Sequence, residues 1–509
     1  LLLFILLFIV IIKTKTPEYN LPTKIISRGF TGAFSSVVLI LFYFTSVFAD
    51  LGVRPDFWNQ TRGYHNYGFV WNFFANTKYL YMTEPNNYDP DEIGNIINKQ
   101  EQDENPVINE NVPNIICIMN ESLSDLSVLG DFKTNKKYMP YLNSLKENTI
   151  RGNLYVPVIG AGTSNTEFEF LTGHTTAFLP SGSNAYMLYM DNPTSSIVST
   201  LKAQGYKPTA FHPYYAAGWN RTSVYSNFAF NKFIALENII KPEIFPDYKQ
   251  NGSNPDYLQG LVDKYYPGSN MLIRQYVSDS YNYDLLIKHF EKRDKSKPYF
   301  MFNVTMQNHG GYTTTALNFK EDVYLTENET EYPKVNEYLS LVKQSDKAFK
   351  KLINYFKTVE EPTIICMFGD HQPSIETQFI ASLLGVNNLS NLTIEQEQQR
   401  HATPFFIWAN YDIEEKEIDA LSANYLSSYV LETANLEMTP YQRYLYDLSK
   451  KLPVINSVGY IGDDGVYYNH DSESEYTDYI ENYRILQYNN LIDYENRYTS
   501  FFTTETLVD

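Results

Sequence analysis

Short apolar runs alternate with longer amphipathic segments from residue 114 onward. This alternation predicts a doubly wound α/β fold with a mostly parallel sheet covered by helices. Beyond residue 411, short Gly- and Tyr-containing strands mixed with helices predict a small α+β subdomain. We predict strands at 115–119, 154–158, 208–211, 299–304, 363–368 and 404–408. We predict helices at 137–148, 164–172, 195–204, 278–294, 333–357 and 475–494.

Two apolar stretches precede this pattern and predict an N-terminal transmembrane segment. Residues 1–12 are unbroken apolar but too few to cross a bilayer, so we interpret them as the end of a helix that starts upstream. Residues 30–49 carry no charge and are long enough to span, although a buried helix is the alternative. The loop between them is basic, which predicts that it is cytoplasmic and that the chain after Asp50 is extracytoplasmic.

The pattern divides the chain into four regions. We expect transmembrane segments at 1–49, a juxtamembrane region and linker at 50–112, the main α/β domain at 113–410 and the C-terminal subdomain at 411–509. The linker is inferred from the Asn, Asp, Glu and Pro that dominate its second half.

Composition narrows the class of protein. A hydrophobic content of 43% with 16% aromatics excludes global disorder, and a net charge of −19 without a basic stripe excludes a nucleic acid partner. The two cysteines, Cys117 and Cys366, lie inside apolar runs, which excludes a disulfide framework and a thiolate zinc site. We predict two buried free thiols on similarly phased strands.

Acidic and imidazole side chains follow two of the predicted strands. The run T-I-I-C-M-F-G ends at Asp370 and His371, and the run N-I-I-C-I-M-N ends at Glu121. Carboxyl ends of parallel strands open onto ligand crevices, and these groups are ligands for a divalent cation. The alternative is an ordinary loop pair in each case.

The segment G-A-G-T-S-N-T-E, residues 160–167, predicts a tight turn that opens a helix, with Ser164 and Glu167 as a capping box. Thr163 then stands at the helix start, where backbone N–H groups favour an anion. Its hydroxyl is a candidate nucleophile towards phosphorus if a metal ion assists its deprotonation. The alternative is that Thr163 or Ser164 is only a helix cap.

Two further strand ends carry candidate substrate contacts. In F-H-P-Y-Y-A-A-G-W-N-R, Arg221 offers a fork of donors suited to phosphate and Trp219 could line a pocket for a small polyol, although a surface ion pair is the alternative for Arg221. In N-H-G-G, His309 is a candidate donor to a phosphate or leaving oxygen, or a solvated loop histidine.

Taken together, E-S, G-x-G-T-S-N-T-E-F, W-N-R, N-H-G and G-D-H-Q-P resemble the motifs of the lipoteichoic acid synthase family of phosphoglycerol transferases, within the alkaline phosphatase/sulfatase superfamily. The resemblance covers roughly residues 110–410 and implies a sulfatase-like catalytic domain. It implies four metal ligands, with manganese the usual metal and magnesium or zinc the alternatives: Glu121, Thr163, Asp370 and His371.

The same resemblance implies that Thr163 is the nucleophile, that Arg221 and Trp219 hold the phosphoglycerol group, and that His309 contacts substrate. Tyr214 replaces an acidic residue that the family often has, and we expect His212 to take over part of its role. Formylglycine sulfatase activity is excluded, because a threonine cannot be converted to formylglycine and neither cysteine lies in the required setting.

The resemblance therefore predicts a membrane-anchored extracytoplasmic enzyme that moves glycerol phosphate from phosphatidylglycerol to a cell-envelope glycopolymer. Three alternatives stay open: a phosphodiesterase or phosphatase of the same superfamily, a phosphoethanolamine transferase, and a non-catalytic envelope-binding domain with a structural metal. An exposed nucleophile at a helix start argues against the last, because a structural metal site needs none.

Overall fold

The computed structural model describes residues 21–44, 52, 55–58, 60–77, 79, 82–98, 112–313, 315–327 and 330–504. The chain divides into two compact units, residues 1–81 and 82–509. The described part of the first unit contains the helices Leu21–Phe44 and Gln60–Thr77.

The predicted membrane segments lie partly outside the described residues. Residues 1–12 fall there, as do the first part of the basic loop, residues 13–20, and the end of the predicted span 30–49. Within the described part of the chain, no helix combines the length and the apolarity that crossing a bilayer requires. The transmembrane segments, like the boundaries of the four regions, stay predictions.

An eight-stranded sheet forms the centre of the second unit, in the order β10-β2-β9-β8-β1-β7-β3-β4. Its strands are β1 (Asn114–Asn120), β2 (Thr149–Tyr155), β3 (Lys207–His212), β4 (Lys232–Ala235), β7 (Tyr299–Val304), β8 (Thr363–Gly369), β9 (Ala402–Ala409) and β10 (Lys416–Ser422). Only β9 pairs antiparallel with its neighbours in this described sheet, which confirms the mostly parallel α/β prediction.

Five short strands stand outside this sheet. The hairpin pairs β5 (Leu272–Ile273) with β6 (Tyr276–Val277), and a small antiparallel sheet joins β11 (Val454–Ile455), β12 (Tyr460–Ile461) and β13 (Tyr467–Tyr468).

Helices cover both faces of the large sheet. Successive residues of β1 and β8 contribute to opposite hydrophobic clusters, so each buried strand serves two cores. The second unit has α-helices at Ile93–Asn98, Pro140–Ser144, Thr163–Thr172, Ala185–Leu188, Ile197–Ala203, Arg221–Asn227, Leu236–Ile239, Phe245–Gln250, Pro255–Tyr265, Asp279–Glu291, Pro333–Phe356, Thr377–Leu383, Ile394–Gln399, Ala423–Thr433, Pro440–Lys451 and Thr477–Leu491. Short 3₁₀ turns occur at Pro90–Glu92, Leu126–Val128, Thr176–Phe178, Gly218–Asn220, Tyr494–Asn496 and Thr499–Phe501.

The predicted elements agree best where the apolar pattern is unbroken. The strand 299–304 has the predicted bounds, and the long helix ends one residue early, at Phe356. The strand predicted at 154–158 covers Thr149–Tyr155 instead. Its first part was missed because Arg151 and Asn153 interrupt the apolar pattern there. The helix predicted at 137–148 is only Pro140–Ser144.

The register of β1 on β8 explains how the two strand ends meet. The strands are parallel, with Cys117 opposite Cys366 and Asn120 opposite Gly369. Both thiols are free and buried, as predicted. Because the register continues to the end of both strands, Glu121 and Asp370 leave the sheet side by side.

The C-terminal segment also supports the helix that starts at Thr163. Strand β10 joins the large sheet beside β2, and the helix Ala423–Thr433 packs against Thr163–Thr172. Within the latter helix, Glu169 is fully buried and accepts hydrogen bonds from Thr175 and Thr176.

Glu169 predicts a pH dependence of stability. Burial raises the pKa of its carboxyl to about 8, against an ordinary value of about 4.3. The protonated carboxyl therefore stabilises the folded protein. This stabilisation is fully present below the pKa of the unfolded state, about 4.3, and is lost as pH rises through 8. Thermal unfolding measured across this pH range should show a loss of stability on the order of a few kcal/mol. We expect the stability of Glu169→Gln to depend less on pH over the same range. Glu360→Gln, at an exposed site, should keep the wild-type slope. An unchanged slope in Glu169→Gln contradicts the assignment.

Candidate active site

Glu121, Asp370 and His371 form a compact buried cluster at the carboxyl end of the sheet. One ligand atom from each lies within 4.8 Å of the others. The Nε2 of His371 lies 3.3 Å from Oδ2 of Asp370 and 3.7 Å from Oε1 of Glu121. The structure therefore brings together the two strand ends that the sequence singled out.

The loops that carry this cluster cross at Gly369. A Cβ atom there would lie 1.8 Å from the carbonyl oxygen of Leu123, so a side chain would block the segment that leaves β1. The crossing lets the backbone N–H of Ser122 donate to Oδ1 of Asp370 at 2.6 Å. The Ser122 hydroxyl donates to Oε1 of Glu121 at 2.9 Å.

The electrostatics of the cluster fit a divalent cation. Burial, and then the neighbouring Glu121 carboxylate, raise the pKa of Asp370 to about 6. Burial also raises the pKa of Glu121. Burial alone would lower the pKa of His371, but the two carboxylates raise it. Oδ2 of Asp370 is buried without a hydrogen-bond partner. Two buried carboxylates, one with an unpaired oxygen beside an imidazole, are a suitable ligand set for such a cation.

Thr163 begins the helix Thr163–Thr172, as predicted, and its Oγ1 lies 3.5 Å from Oε2 of Glu121. Gly162, with φ of 93°, turns the chain into the helix. The predicted capping box is wrong, since no side chain caps this helix. Ser164 lies inside the first turn, where its hydroxyl accepts a hydrogen bond from Asn184. The uncapped N–H groups lie at the end of the helix that bears the nucleophile candidate.

Arg221 forms a buried ion pair with Glu167. Its Nε donates to Oε1 and Oε2 of Glu167 at 3.0 and 3.3 Å, and its Nη2 also donates to Oε1. Tyr225 donates to Oε2 of the same carboxylate at 2.6 Å. Burial alone would lower the pKa of the guanidinium, but Glu167 raises it, so the charge is held in place. That charge also offsets part of the rise in the pKa of Glu121, so Arg221 lies in the electrostatic field of the cluster.

The Arg221–Glu167 pair makes a testable contribution to stability. Both side chains are at most 2% exposed, so Glu167→Gln leaves a buried guanidinium without its counter-charge. We expect the free energy of unfolding to fall by about 3–5 kcal/mol in denaturant titration. The double variant Glu167→Leu/Arg221→Met should recover much of that loss, because both charges leave together. A loss below about 1 kcal/mol in the single variant contradicts this account.

The two other histidines predicted at the site lie in different environments. Nδ1 of His212 is 3.0 Å from the carbonyl oxygen of Val304, and burial followed by the charge of Arg221 lowers its pKa. His309 is exposed, with Nδ1 3.0 Å from the hydroxyl of Tyr276. Crowding by protein atoms, followed by the charge of His371, lowers the pKa of His309 to about 4.

Two aromatic residues complete the predicted set. Trp219 is partly buried against the larger hydrophobic cluster, in a left-handed conformation with φ of 54°, two residues before the start of the helix Arg221–Asn227. Tyr214 lies 6.2 Å from the rings of both His212 and Tyr276, measured between centroids. Tyr214 thus stands beside two other rings at the position where the resemblance leads one to expect an acidic side chain.

Sequence reasoning missed three participants: Ser122, Tyr276 and the ion-pair role of Glu167. The sequence carries no signal for Glu167, because the segment Thr163–Thr172 is mostly polar and does not suggest a buried helix. The structure shows that every residue of this helix is buried, where a carboxylate requires a cationic or protonated partner. Nothing in the pattern identified which arginine supplies that charge.

Sequence comparisons find two relatives that align with most of this chain. A protein of Rhizobium meliloti named for cyclic β-1,2-glucan modification is 29% identical over 81% of this chain. The lipoteichoic acid synthase of Staphylococcus aureus is 27% identical over 72% of this chain. The chain spans 61% and 53% of these two proteins, respectively. The resemblance to the lipoteichoic acid synthase family is thereby confirmed.

Solved structures show the same fold. The phosphoglycerol transferase GacH of Streptococcus pyogenes, in complex with sn-glycerol-1-phosphate, aligns with a TM-score of 0.62 at 21% identity, over 83% of this chain and 99% of that one. The lipoteichoic acid synthase LtaP of Listeria monocytogenes aligns with a TM-score of 0.56 at 16% identity, over 82% and 99%. The sulfatase family matches residues 113–436, which is more than half of the chain. The chain belongs to the sulfatase family.

Proposed function

We propose that this chain is the catalytic part of a membrane-anchored, extracytoplasmic transferase that moves glycerol phosphate from phosphatidylglycerol to a cell-envelope glycopolymer. One observation carries the proposal. The Thr163 hydroxyl stands at a helix start and contacts Glu121 of the Glu121–Asp370–His371 cluster. A structural metal site has no use for such a hydroxyl, whereas phosphoryl transfer through a covalent intermediate requires one.

Thr163 is the nucleophile of a two-step transfer. Its oxygen gives its proton to Glu121 and attacks the donor phosphorus. The threonine–phosphorus bond forms as the bond to diacylglycerol breaks, and the diacylglycerol oxygen takes up that proton. An acceptor hydroxyl then attacks the same phosphorus, the threonine–phosphorus bond breaks, and the proton of the acceptor passes to the Thr163 oxygen. The proton of Thr163 faces Oε2 of Glu121 across 3.5 Å. The free N–H groups of the helix start favour the anionic phosphoryl group throughout.

Glu121, Asp370 and His371 would hold a divalent cation, which we propose to be manganese. When bound, such a cation supplies Lewis acidity that lowers the pKa of an adjacent hydroxyl and offsets charge on phosphate oxygens. Arg221 adds a fixed positive charge whose orientation is set by Glu167. These local charges answer a difficulty posed by the net charge of −19, which would otherwise repel an anionic lipid head group.

The relatives support the donor and leave a choice of acceptor. The solved GacH structure holds sn-glycerol-1-phosphate, and the curated relatives are named for lipoteichoic acid synthesis and for glucan modification. Thr163 also separates this chain from the formylglycine sulfatases, because a threonine cannot be converted to that group. Trp219, His212 and His309 are the remaining candidates for contacts to the glycerol and to the acceptor.

The test is to supply phosphatidylglycerol labelled in its glycerol head group, with Mn²⁺ and envelope polymer. Label in the polymer supports transfer. Label released as water-soluble glycerol phosphate supports the hydrolase alternative, in which water takes the place of the acceptor. Label that stays in the lipid, with Mn²⁺ bound, supports a non-catalytic binding domain.

A further inference from the structure

Arg274 occupies a position in which an arginine is unusual. It is the first of two residues in the turn between β5 and β6, with φ of 54°, a conformation that favours glycine or asparagine. Asn318 holds its backbone from both sides, accepting from the Arg274 N–H and donating to its carbonyl oxygen, each at 2.9 Å. The backbone of this turn disfavours arginine, so the contacts of the Arg274 side chain have to explain why an arginine is found there.

That side chain is fully buried and binds the loop that carries His309. Nη2 of Arg274 donates to the carbonyl oxygens of Gln307 and His309 at 3.0 and 2.8 Å. Nη1 lies 3.2 Å from Oε1 of Glu337, which balances the buried charge. One guanidinium thus fixes the backbone on both sides of Asn308.

Two tyrosines complete the support of this loop. The guanidinium lies 5.4 Å and 5.6 Å from the ring centroids of Tyr276 and Tyr312. The Tyr312 hydroxyl donates to the carbonyl oxygen of Asn308 at 2.7 Å. The Tyr276 hydroxyl lies 3.0 Å from Nδ1 of His309, with ring centroids 5.2 Å apart. The backbone and the imidazole of the loop are therefore held by different groups.

We propose that Arg274 and Tyr276 are positioning residues for His309. Arg274 fixes the backbone of the loop, and Tyr276 donates its hydroxyl hydrogen to Nδ1, which keeps the other imidazole hydrogen on Nε2. His309 then presents Nε2–H, a hydrogen-bond donor, towards a phosphate or leaving oxygen. The proposal rests on the proposed function in one respect: His309 must be the group that contacts the substrate.

The position of the loop agrees with that assignment. Burial raises the pKa of the Tyr276 hydroxyl, Gln275 and Arg274 oppose that rise, and the Glu121 carboxylate adds to it. The charges of His371 and Asp370 both act on His309. The positioned imidazole and the cation-binding cluster therefore share one electrostatic environment, as a donor to the transferring group requires.

The decisive variant is Tyr276→Phe, which keeps the ring and removes one hydroxyl. The protein is labelled with ¹⁵N-histidine, and His309→Gln assigns the signals among the eight histidines. We expect wild-type His309 to show a protonated Nε2 and an unprotonated Nδ1, and Tyr276→Phe to show a mixture of tautomers. Turnover of labelled phosphatidylglycerol should fall about tenfold in kcat, with KM changed less. Tyr257→Phe, which loses an exposed hydroxyl bound to Asp247, is the matched control and should change neither.

Arg274→Lys provides the second variant, since it keeps the charge and loses the fork that spans two carbonyl oxygens. We expect broadened His309 signals and a kcat reduced at least as much as in Tyr276→Phe. His309 signals that are identical in wild type and Tyr276→Phe overturn the proposal, and so does a changed tautomer with unchanged kcat. If wild type neither transfers nor hydrolyses the lipid, the proposed function fails. The tautomer measurement then still decides whether Tyr276 positions the imidazole.

Discussion

Replacing Thr163 by alanine should abolish transfer of glycerol phosphate, with a loss of at least about 10³-fold in kcat. The alanine variant lacks the hydroxyl that contacts Glu121, and the proposed covalent intermediate cannot form without it. Labelled phosphatidylglycerol provides the measurement, both as label in the acceptor and as label bound covalently to the protein. Retention of full transfer by Thr163→Ala contradicts the mechanism.

Two controls separate this chemistry from folding. Thr163→Ser keeps a hydroxyl at the helix start and should keep part of the activity together with the labelled intermediate. Thr172→Ala removes a hydroxyl at the other end of the same helix, where it donates to the carbonyl oxygen of Phe168, and should retain transfer. Equal thermal unfolding temperatures for wild type and Thr163→Ala would place the loss in the reaction rather than in the fold.

The candidate site was predictable wherever it depends on parallel strands. The runs before Glu121 and Asp370 have equal length and carry cysteines at matching positions, and the structure pairs Cys117 with Cys366. Side chains that directly follow such strands lie together because the strands are neighbours and point the same way. This relation let the sequence predict Glu121, Asp370 and His371 as one candidate cation site.

The partners of these groups follow from tertiary packing and were not predictable. Glu167 pairs with Arg221 across 54 positions of the chain, and nothing local to either residue indicates the other. Tyr276 belongs to a hairpin whose strands have two residues each, which is too short for any hydrophobic period. Long-range side-chain pairs of this kind need the fold to be known first.

The antiparallel strand β9 shows the same limit for topology. Its apolar sequence Ala402–Ala409 predicted a buried strand, and the strand is present. Its direction is antiparallel to β8, because the connection from the end of β8 enters β9 at the same end of the sheet. A buried strand has the same apolar pattern in either direction, so the sequence does not indicate this. The apolar pattern thus identifies a buried strand but not its neighbours.

The second large effect concerns the cation site, where Asp370→Asn should change stability in opposite directions with and without metal. Asparagine can still accept the Ser122 N–H that now binds Oδ1. It removes a carboxylate whose pKa is raised to about 6 by burial and by Glu121. Without metal near pH 8, we therefore expect the variant to be more stable than wild type, by roughly 2–3 kcal/mol.

With Mn²⁺ present the order should reverse. A cation that binds only the folded state raises the free energy of unfolding. Once its concentration exceeds the dissociation constant, this gain grows with the logarithm of the ratio of the two. Wild type should show a rise in unfolding temperature with Mn²⁺ that Asp370→Asn lacks, and the variant should lose at least about 10²-fold in transfer. Asp131→Asn, at an exposed site, is the matched control and should behave as wild type in both conditions. A purely structural role for Asp370 predicts destabilisation with and without metal alike. The gain in stability without Mn²⁺ is thus the result that identifies the two carboxylates as groups brought together to hold a cation.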